Sequence, residues 1–184
     1  SNYLEQPYNS DLNFGTGDWC YMWWIKMDSV TNGMTVFGRD ALGEGGTSAG
    51  RIGCYFNGDK LRVDLTDDGA SGYTAKLSSQ SVVGLSNWNC FVIIRRGANF
   101  EFYINGKFDS SVALGSNSDG SYTNTSATLN IGHDANVGSA LSSGSLALFR
   151  ISATAPSAEQ IKKIYEDEKP LFQENAKATL YGTS

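Results

Sequence analysis

The chain has 184 residues, 40% of them hydrophobic and only 18% charged, with 21 glycines against 3 prolines. That is apolar material for one core of sandwich size, and many glycines with few helix-period segments read as short strands joined by tight turns. A net charge of −5 argues against a basic groove that tracks phosphates and gives no pull toward anionic lipid, while neutral glycans and cations stay open as ligands.

Residues 1–18 carry Tyr3, Pro7, Tyr8, Leu12 and Phe14 among polar residues and close on Gly15-Thr16-Gly17-Asp18, an edge strand or extended lead-in. Trp19 to Met27 is the most aromatic run of the chain. Trp19, Tyr21, Trp23, Ile25 and Met27 share one face of a strand, and Cys20, Met22, Trp24 and Lys26 share the other. Both faces are largely apolar, so this strand is expected to be covered on both sides for most of its length. A row of aromatics can act as a sugar platform, but a central core strand explains it more simply, because buried aromatics dominate core energetics.

Thr35 to Asp40 reads as a short strand, followed by a Gly/Ser/Thr loop over 41–50. Arg51–Phe56 and Leu61–Thr66 form a hairpin around Asn57-Gly58-Asp59-Lys60, with Leu61, Val63 and Leu65 inward and Arg62 and Asp64 outward. Asp67-Asp68-Gly69 ends it, and a polar loop runs through Tyr73. A weak strand and turn over 76–85 lead to Trp88.

From Trp88 to Val112 the pattern is a three-strand meander. Phe91-Val92-Ile93-Ile94 is β-branched and apolar, and Arg95 to Asn99 breaks the run. Phe100, Phe102 and Ile104 then alternate with Glu101, Tyr103 and Asn105. Asn105-Gly106 is a strong hairpin signal, since both residues tolerate the positive φ of a type I′ turn. Lys107 to Leu114 is the third limb. A meander with one wet face must pack its dry face on a second sheet.

Gly115 to Ser126 is a long polar loop carrying Tyr122. Thr128–Gly132 is a strand, 133–143 another polar loop, and Gly144–Ile151 a strand in which Leu146, Leu148 and Arg150 alternate with Ala147, Phe149 and Ile151. A helix opens at Pro156-Ser157, where Ser157 and Gln160 have the spacing of a capping box. Ile161, Ile164 and Tyr165 form its apolar stripe, and Lys169-Pro170 ends it. Leu171-Phe172 offer an apolar end to pack down, and Ala178–Tyr181 a last strand or the start of another module. No apolar run reaches membrane-spanning length and no internal repeat stands out. No signal-peptide pattern heads the chain, which says nothing of location if the chain is a piece of a longer one.

The order of these motifs resembles a known group. Trp19–Met27, Phe37-Gly38-Arg39, the hairpin at Asn57-Gly58, Trp88 with Phe91–Arg95, Phe102-Tyr103-Ile104-Asn105-Gly106, Leu129–Gly132 and Ala147–Ile151 together look like a laminin-G-like or pentraxin-like domain of the concanavalin A-like lectin/glucanase superfamily. The resemblance covers about residues 10–155. The segment from Ser157 to Ala176 is similar to segments that follow such domains in tail-fibre-like proteins of bacteriophages. The resemblance implies an all-β, two-sheet antiparallel jelly-roll sandwich with one short C-terminal helix. It also implies ligand binding at one rim or on the concave face. Members are mostly modules that bind glycans or proteins, often with calcium, and some are glycoside hydrolases. The expected organisation is a sandwich with its helix over 1–170 and a C-terminal tail over 171–184.

Glycoside hydrolysis needs two carboxylates flanking one bond. The Glu-x-Asp-x-x-Glu run usual for enzymes of this superfamily is missing, Glu101 stands alone on its strand, and Glu166-Asp167-Glu168 reads as a solvated helix cluster. The single histidine, His133, reads as a loop residue, and Gly43-Glu44-Gly45-Gly46 lacks the Lys-Ser/Thr of a phosphate loop. The 3 cysteines, Cys20, Cys54 and Cys90, are far apart without zinc spacing; they read as small buried hydrophobes, with one disulfide plus a free thiol as the alternative. Calcium is the one cofactor with candidate ligands: Asp67 and Asp68 at a strand end, and Asn117, Asp119 and Asp134 in later loops. Asp and Asn also favour turns without any metal, and the helix–loop–helix calcium pattern is not met, since Gly115 and Ser126 occupy its end positions.

The expectation is a non-catalytic, lectin-like recognition module, extracellular or on a virion surface, as in a phage fibre or adhesin. It binds cell-surface glycan or glycoprotein through Tyr73, Tyr122, Asn117, Asp119 and Asp134, without nucleic acid or membrane insertion. A structural fibre module is the rival reading, with a homo-oligomeric seam at Leu171, Phe172 and Leu180. A hydrolase is the third.

Overall fold

The computed structural model describes residues 3–29, 33–41, 49–69, 75–81, 84–134, 140–141 and 143–173. Among these residues eleven strands make two antiparallel sheets. The first sheet runs β1 (Leu4–Gln6), β10 (Thr128–Ile131), β3 (Met34–Asp40), β4 (Arg51–Asn57), β5 (Lys60–Thr66), β6 (Ala75–Ser78). The second runs β11 (Ser145–Ser152), β2 (Trp19–Lys26), β7 (Asn89–Arg96), β8 (Asn99–Ile104), β9 (Lys107–Ala113). The expected jelly-roll sandwich is what forms.

The inward faces meet in one core. Trp19, Tyr21, Trp23 and Ile25 of β2 lie against Phe37, Ile52, Cys54, Phe56, Val63 and Leu65 of the facing sheet, all fully buried. Tyr21 stacks on Phe37 across the two layers at 4.6 Å between ring centres, and Trp23 stacks on Phe91 at 5.9 Å. Each such side chain contributes about 1.5–3 kcal/mol by burial, and a well-placed ring pair adds about 0.5–1.5 kcal/mol.

The other face of β2 is also dry. Cys20, Met22 and Trp24 sit with Cys90, Val92, Ile94 and Tyr103 beneath a helix, α1 (Ala158–Glu168), whose Ile161 is fully buried among them. Trp24 stacks on Tyr165 and Phe172 at 5.5 and 4.3 Å, and its indole N–H donates to Glu168 at 2.7 Å. The helix therefore covers the face of the meander that the strand pattern left wet. Glu168 is likewise no solvated residue: it joins Trp24 to Arg150. The capping box is present, with the Gln160 N–H donating to Ser157 Oγ and the Ser157 N–H donating to Gln160 Oε1. A 3-10 turn over Lys169–Phe172 follows, with Phe172 against Trp24 and Trp88 and Leu171 exposed.

One alternation fails. In β11 the register shifts between Ala147 and Arg150, and Leu148 takes φ +49°. The extra residue of this bulge turns Phe149 inward onto Phe37 at 5.3 Å and leaves Leu148 exposed. Burying the larger ring wins over strict period-2 order.

The β8–β9 turn has Asn105 at φ +51° and Gly106 at φ +75°, as a type I′ turn requires. A Cβ on Gly106 would also lie 2.8 Å from Tyr165 of α1. Gly106→Ala is therefore expected to combine left-handed strain with overpacking and to lower stability by about 2–4 kcal/mol. Gly97 has φ +56° with open space around it, so Gly97→Ala loses only the strain part, about 1–2 kcal/mol. Urea denaturation midpoints of the two variants check the difference.

Candidate functional site

At one end of the sandwich two polar loops interlock. β5 runs into Asp67-Asp68-Gly69, and β9 runs into 114–127. The Asp67 N–H donates to the Asn117 carbonyl at 3.0 Å, and the Asp68 N–H to the Ser121 carbonyl at 2.7 Å. The Asp67 carboxylate closes the joint, accepting the N–H groups of Gly69 at 3.1 Å and Gly120 at 3.0 Å. From the end of β7, Arg95 donates to the carbonyls of Gly120 and Asp119 at 2.6 and 2.7 Å, with its guanidinium 5.2 Å above the Tyr122 ring.

Tyr122 is fully buried and is not the exposed loop aromatic expected. Its ring packs edge-on to Trp19 at 5.7 Å, and its hydroxyl donates to the Ser118 carbonyl. Burial pushes the Tyr122 phenol above its ordinary range. A long polar loop needs an apolar anchor, and the sandwich end beside Trp19 supplies a dry place for that ring. What remains on the solvent side is Asp68 and Asp119, both exposed, and Asn117, half-buried. The structure thus brings Asp67, Asp68, Asn117 and Asp119 to one rim. Tyr73 lies outside the described residues.

Asp134 belongs elsewhere. It reaches over the outer face of the six-stranded sheet, where Arg51 and Tyr55 of β4, Asp64 of β5 and Asp40 of β3 converge. Arg51 Nε donates to Asp40 at 2.9 Å and Nη2 to Asp134 at 3.0 Å, with Asp64 3.8 Å away. The Tyr55 hydroxyl donates to Asp134, and Arg62 Nε to Asp64 at 2.7 Å. Burial alone would lower the pKa of Arg51, but Tyr55, Asp134, Asp40 and Asp64 reverse this and raise it above its ordinary value. Burial raises the Tyr55 phenol. Gly38 and Gly53 make the room: a Cβ on Gly38 would meet Asp134 at 2.7 Å, and one on Gly53 would meet Arg51 Nη2 at 2.8 Å.

Three carboxylates around one guanidinium resemble the raw material of a hydrolase. Yet Asp40, Asp64 and Asp134 are at most 3% exposed and each faces an arginine, so none reaches a substrate as acid or nucleophile. Asp134 is accordingly an internal charge partner and not a surface contact. Alternation alone placed Arg62 and Asp64 outward; it did not show that the outward positions converge. The available signal was a glycine at an outward position on each of two neighbouring strands, a mark of close approach. Elsewhere, Glu101 pairs with Arg96 at 3.1 Å, and His133 stacks on Tyr3 at 5.0 Å.

At the rim both Asp67 oxygens already accept backbone N–H groups, and among the described residues no group of three or more acidic, histidine or cysteine side chains is placed to hold a metal ion. The 3 cysteines are buried free thiols. Among the described residues no helix is long and apolar enough to cross a membrane.

A laminin-G family model, described as concanavalin A-like lectin/glucanases superfamily, matches residues 1–162. Among solved structures the fold is similar to the binding domain of botulinum neurotoxin serotype D/C, with TM-score 0.63 and 13% identity over 90% of this chain and 40% of that one. It is also similar to the botulinum neurotoxin DC binding domain in complex with rat synaptotagmin II (TM-score 0.61, 13% identity, 90% and 40% covered). The same domain in complex with SialylT gives TM-score 0.59 at 12% identity, with 90% and 39% covered. The chain spans about 40% of the length of these binding domains, and at such identities the likeness is one of fold alone. No curated protein sequence matches the chain.

Arg51→Met is expected to remove the guanidinium that Asp40 and Asp134 share and to destabilise the fold by about 3–5 kcal/mol. Equilibrium denaturation measures it; a loss below about 1 kcal/mol would place the cluster in high-dielectric surroundings.

Proposed function

The chain belongs to the concanavalin A-like lectin/glucanases superfamily, and from that membership we propose that it is a non-catalytic recognition module for cell-surface glycan or glycoprotein. In this reading it works outside the cell or on a virion, as part of an adhesin or phage fibre. The contact surface is the rim formed by 67–69 and 115–122. One observation carries the proposal: the carboxylates gathered on the sheet face are paired internally, whereas Asp68, Asn117 and Asp119 stand on a loop braced by Asp67, Arg95 and Tyr122. A braced loop presenting polar side chains loses little entropy on binding. That a similar fold occurs in complexes with SialylT and with synaptotagmin II is compatible with recognition by this architecture.

The rival is a structural fibre module. Its proposed seam is reduced, since Phe172 is committed to Trp24 and Trp88 and Leu171 alone of the pair is exposed, at 63%. Leu180 lies outside the described residues. A glycan array separates the two readings: a ligand is expected, whereas binding to no sugar favours the structural module. Asp119→Ala and Asn117→Ala are expected to weaken the array ligand at least about tenfold, roughly 1.4 kcal/mol each, with unchanged melting temperature. Both keep the backbone carbonyls that Arg95 and Asp67 use. Binding is expected to survive EDTA; its loss on chelation would instead assign calcium to Asp67 and Asp68. Release of reducing ends from a bound glycan would revive the hydrolase reading.

A further inference from the structure

A groove of about 650 Å³ opens between α1 and the β8–β9 turn, on the side of the molecule made by the five-stranded sheet. That volume is the size of a small-ligand site. Lys107 borders it from the turn, and Lys162 and Lys169 border it from the helical segment. Among the described residues none of these three ammonium groups makes an ion pair; Lys169 lies 5.6 Å from the Tyr165 ring centre instead. Two carboxylates, Asp109 and Glu166, share the groove. Asp109 is already committed, accepting the N–H groups of Gln80 and Ser81 at 2.7 and 2.9 Å and the Ser110 hydroxyl at 2.7 Å. Burial would raise its pKa, but these hydrogen bonds together hold it below the ordinary carboxylate range. The groove keeps a surplus of one positive charge in a chain whose net charge is −5.

One wall is a bare aromatic ring. Phe108 is 57% exposed, yet its ring is held edge-on to Tyr103 at 5.5 Å. It flanks the bulge that shifts the β8–β9 register between Phe102 and Tyr103. Such a ring offers its negative face to the weakly positive C–H groups of a ligand. The walls are fixed relative to each other, because Gly106 abuts Tyr165 with no space for a Cβ. Concentrated cation, a rigid apolar face and polar neighbours fit a ligand with one anionic group and a C–H-lined ring. A polyanion such as nucleic acid would want more than one surplus charge.

We propose that the groove between α1 and the β8–β9 turn binds a carboxylate-bearing sugar residue, of the sialic or uronic acid kind. The carboxylate meets Lys107, Lys162 and Lys169, and the ring lies on Phe108. The inference rests on the recognition-module reading but uses a surface distinct from the rim.

The test is an amide NMR titration of the full chain with 3′-sialyllactose, a glucuronic acid disaccharide, lactose, acetate and inorganic phosphate. The acidic sugars are expected to shift amides of 105–109 and 162–169, more weakly at high salt, and lactose is not. Lys107→Gln with Lys162→Gln, and separately Phe108→Ala, are expected to reduce affinity at least tenfold, while Asp119→Ala leaves groove binding intact. Acetate or phosphate binding as tightly would reduce the groove to a simple anion site and overturn the proposal. So would unchanged affinity in the lysine variant. Glycan shifts confined to the rim would overturn it while sparing the rim reading. Shifts confined to the groove would support it and remove the rim as the glycan site.

Discussion

The strand β2 is buried on both faces, and the rest of the molecule follows from that constraint. Its Trp19, Tyr21 and Trp23 fill the space between the sheets, while Cys20, Met22 and Trp24 must be covered from outside. A sandwich of two sheets leaves that second face open, so the chain adds α1 and the turn after it. Among the described residues, the indole N–H groups of Trp19 and Trp23 and the Tyr21 hydroxyl lack hydrogen-bond partners. Each such group opposes folding by about 1–3 kcal/mol, which aromatic packing on this scale has to exceed.

The same layering decides where a partner can touch the protein. The helix occupies the outside of the five-stranded sheet over β2 and β7. The outside of the six-stranded sheet is closed by Arg51 and its carboxylates, buried groups that face one another rather than solvent. Paired buried charges of this kind add little net stability, yet losing one partner is severe, so they act chiefly to fix how β3, β4, β5 and the 131–134 segment sit together. The proposed contact surfaces then lie at the edges: the rim braced by Asp67 and Arg95, and the groove between the β8–β9 turn and the helix.

Local signals in the sequence are legible because their physics is local. The alternation of β2, the Asn105-Gly106 turn and the Ser157–Gln160 cap each depend on neighbours within a few positions. Signals that depend on convergence were not legible. Tyr122 sits in an aperiodic loop, so nothing in its neighbours distinguishes an anchor from an exposed ring. The bulge at Leu148 shows only when Phe37 is in place across the core. The Arg51 cluster draws on four separate segments, and the groove joins a turn to a helix far along the chain. The rim lies between: its acidic and amide residues were visible, but their lock through the Asp67 carboxylate was not.

Site-resolved thiol labelling tests the two-sided burial of β2 most directly. Cys54 lies between the sheets, whereas Cys20 and Cys90 lie beneath α1, and all three are at most 4% exposed. Burial pushes the thiols of Cys20 and Cys90 up to about 12 and raises that of Cys54 as well, so none reacts in place. If α1 is an integral layer, all three label at one rate, set by global unfolding. Faster labelling of Cys20 and Cys90 than of Cys54 would mean that the helix lifts off by itself and that the outer face of β2 does not need its cover.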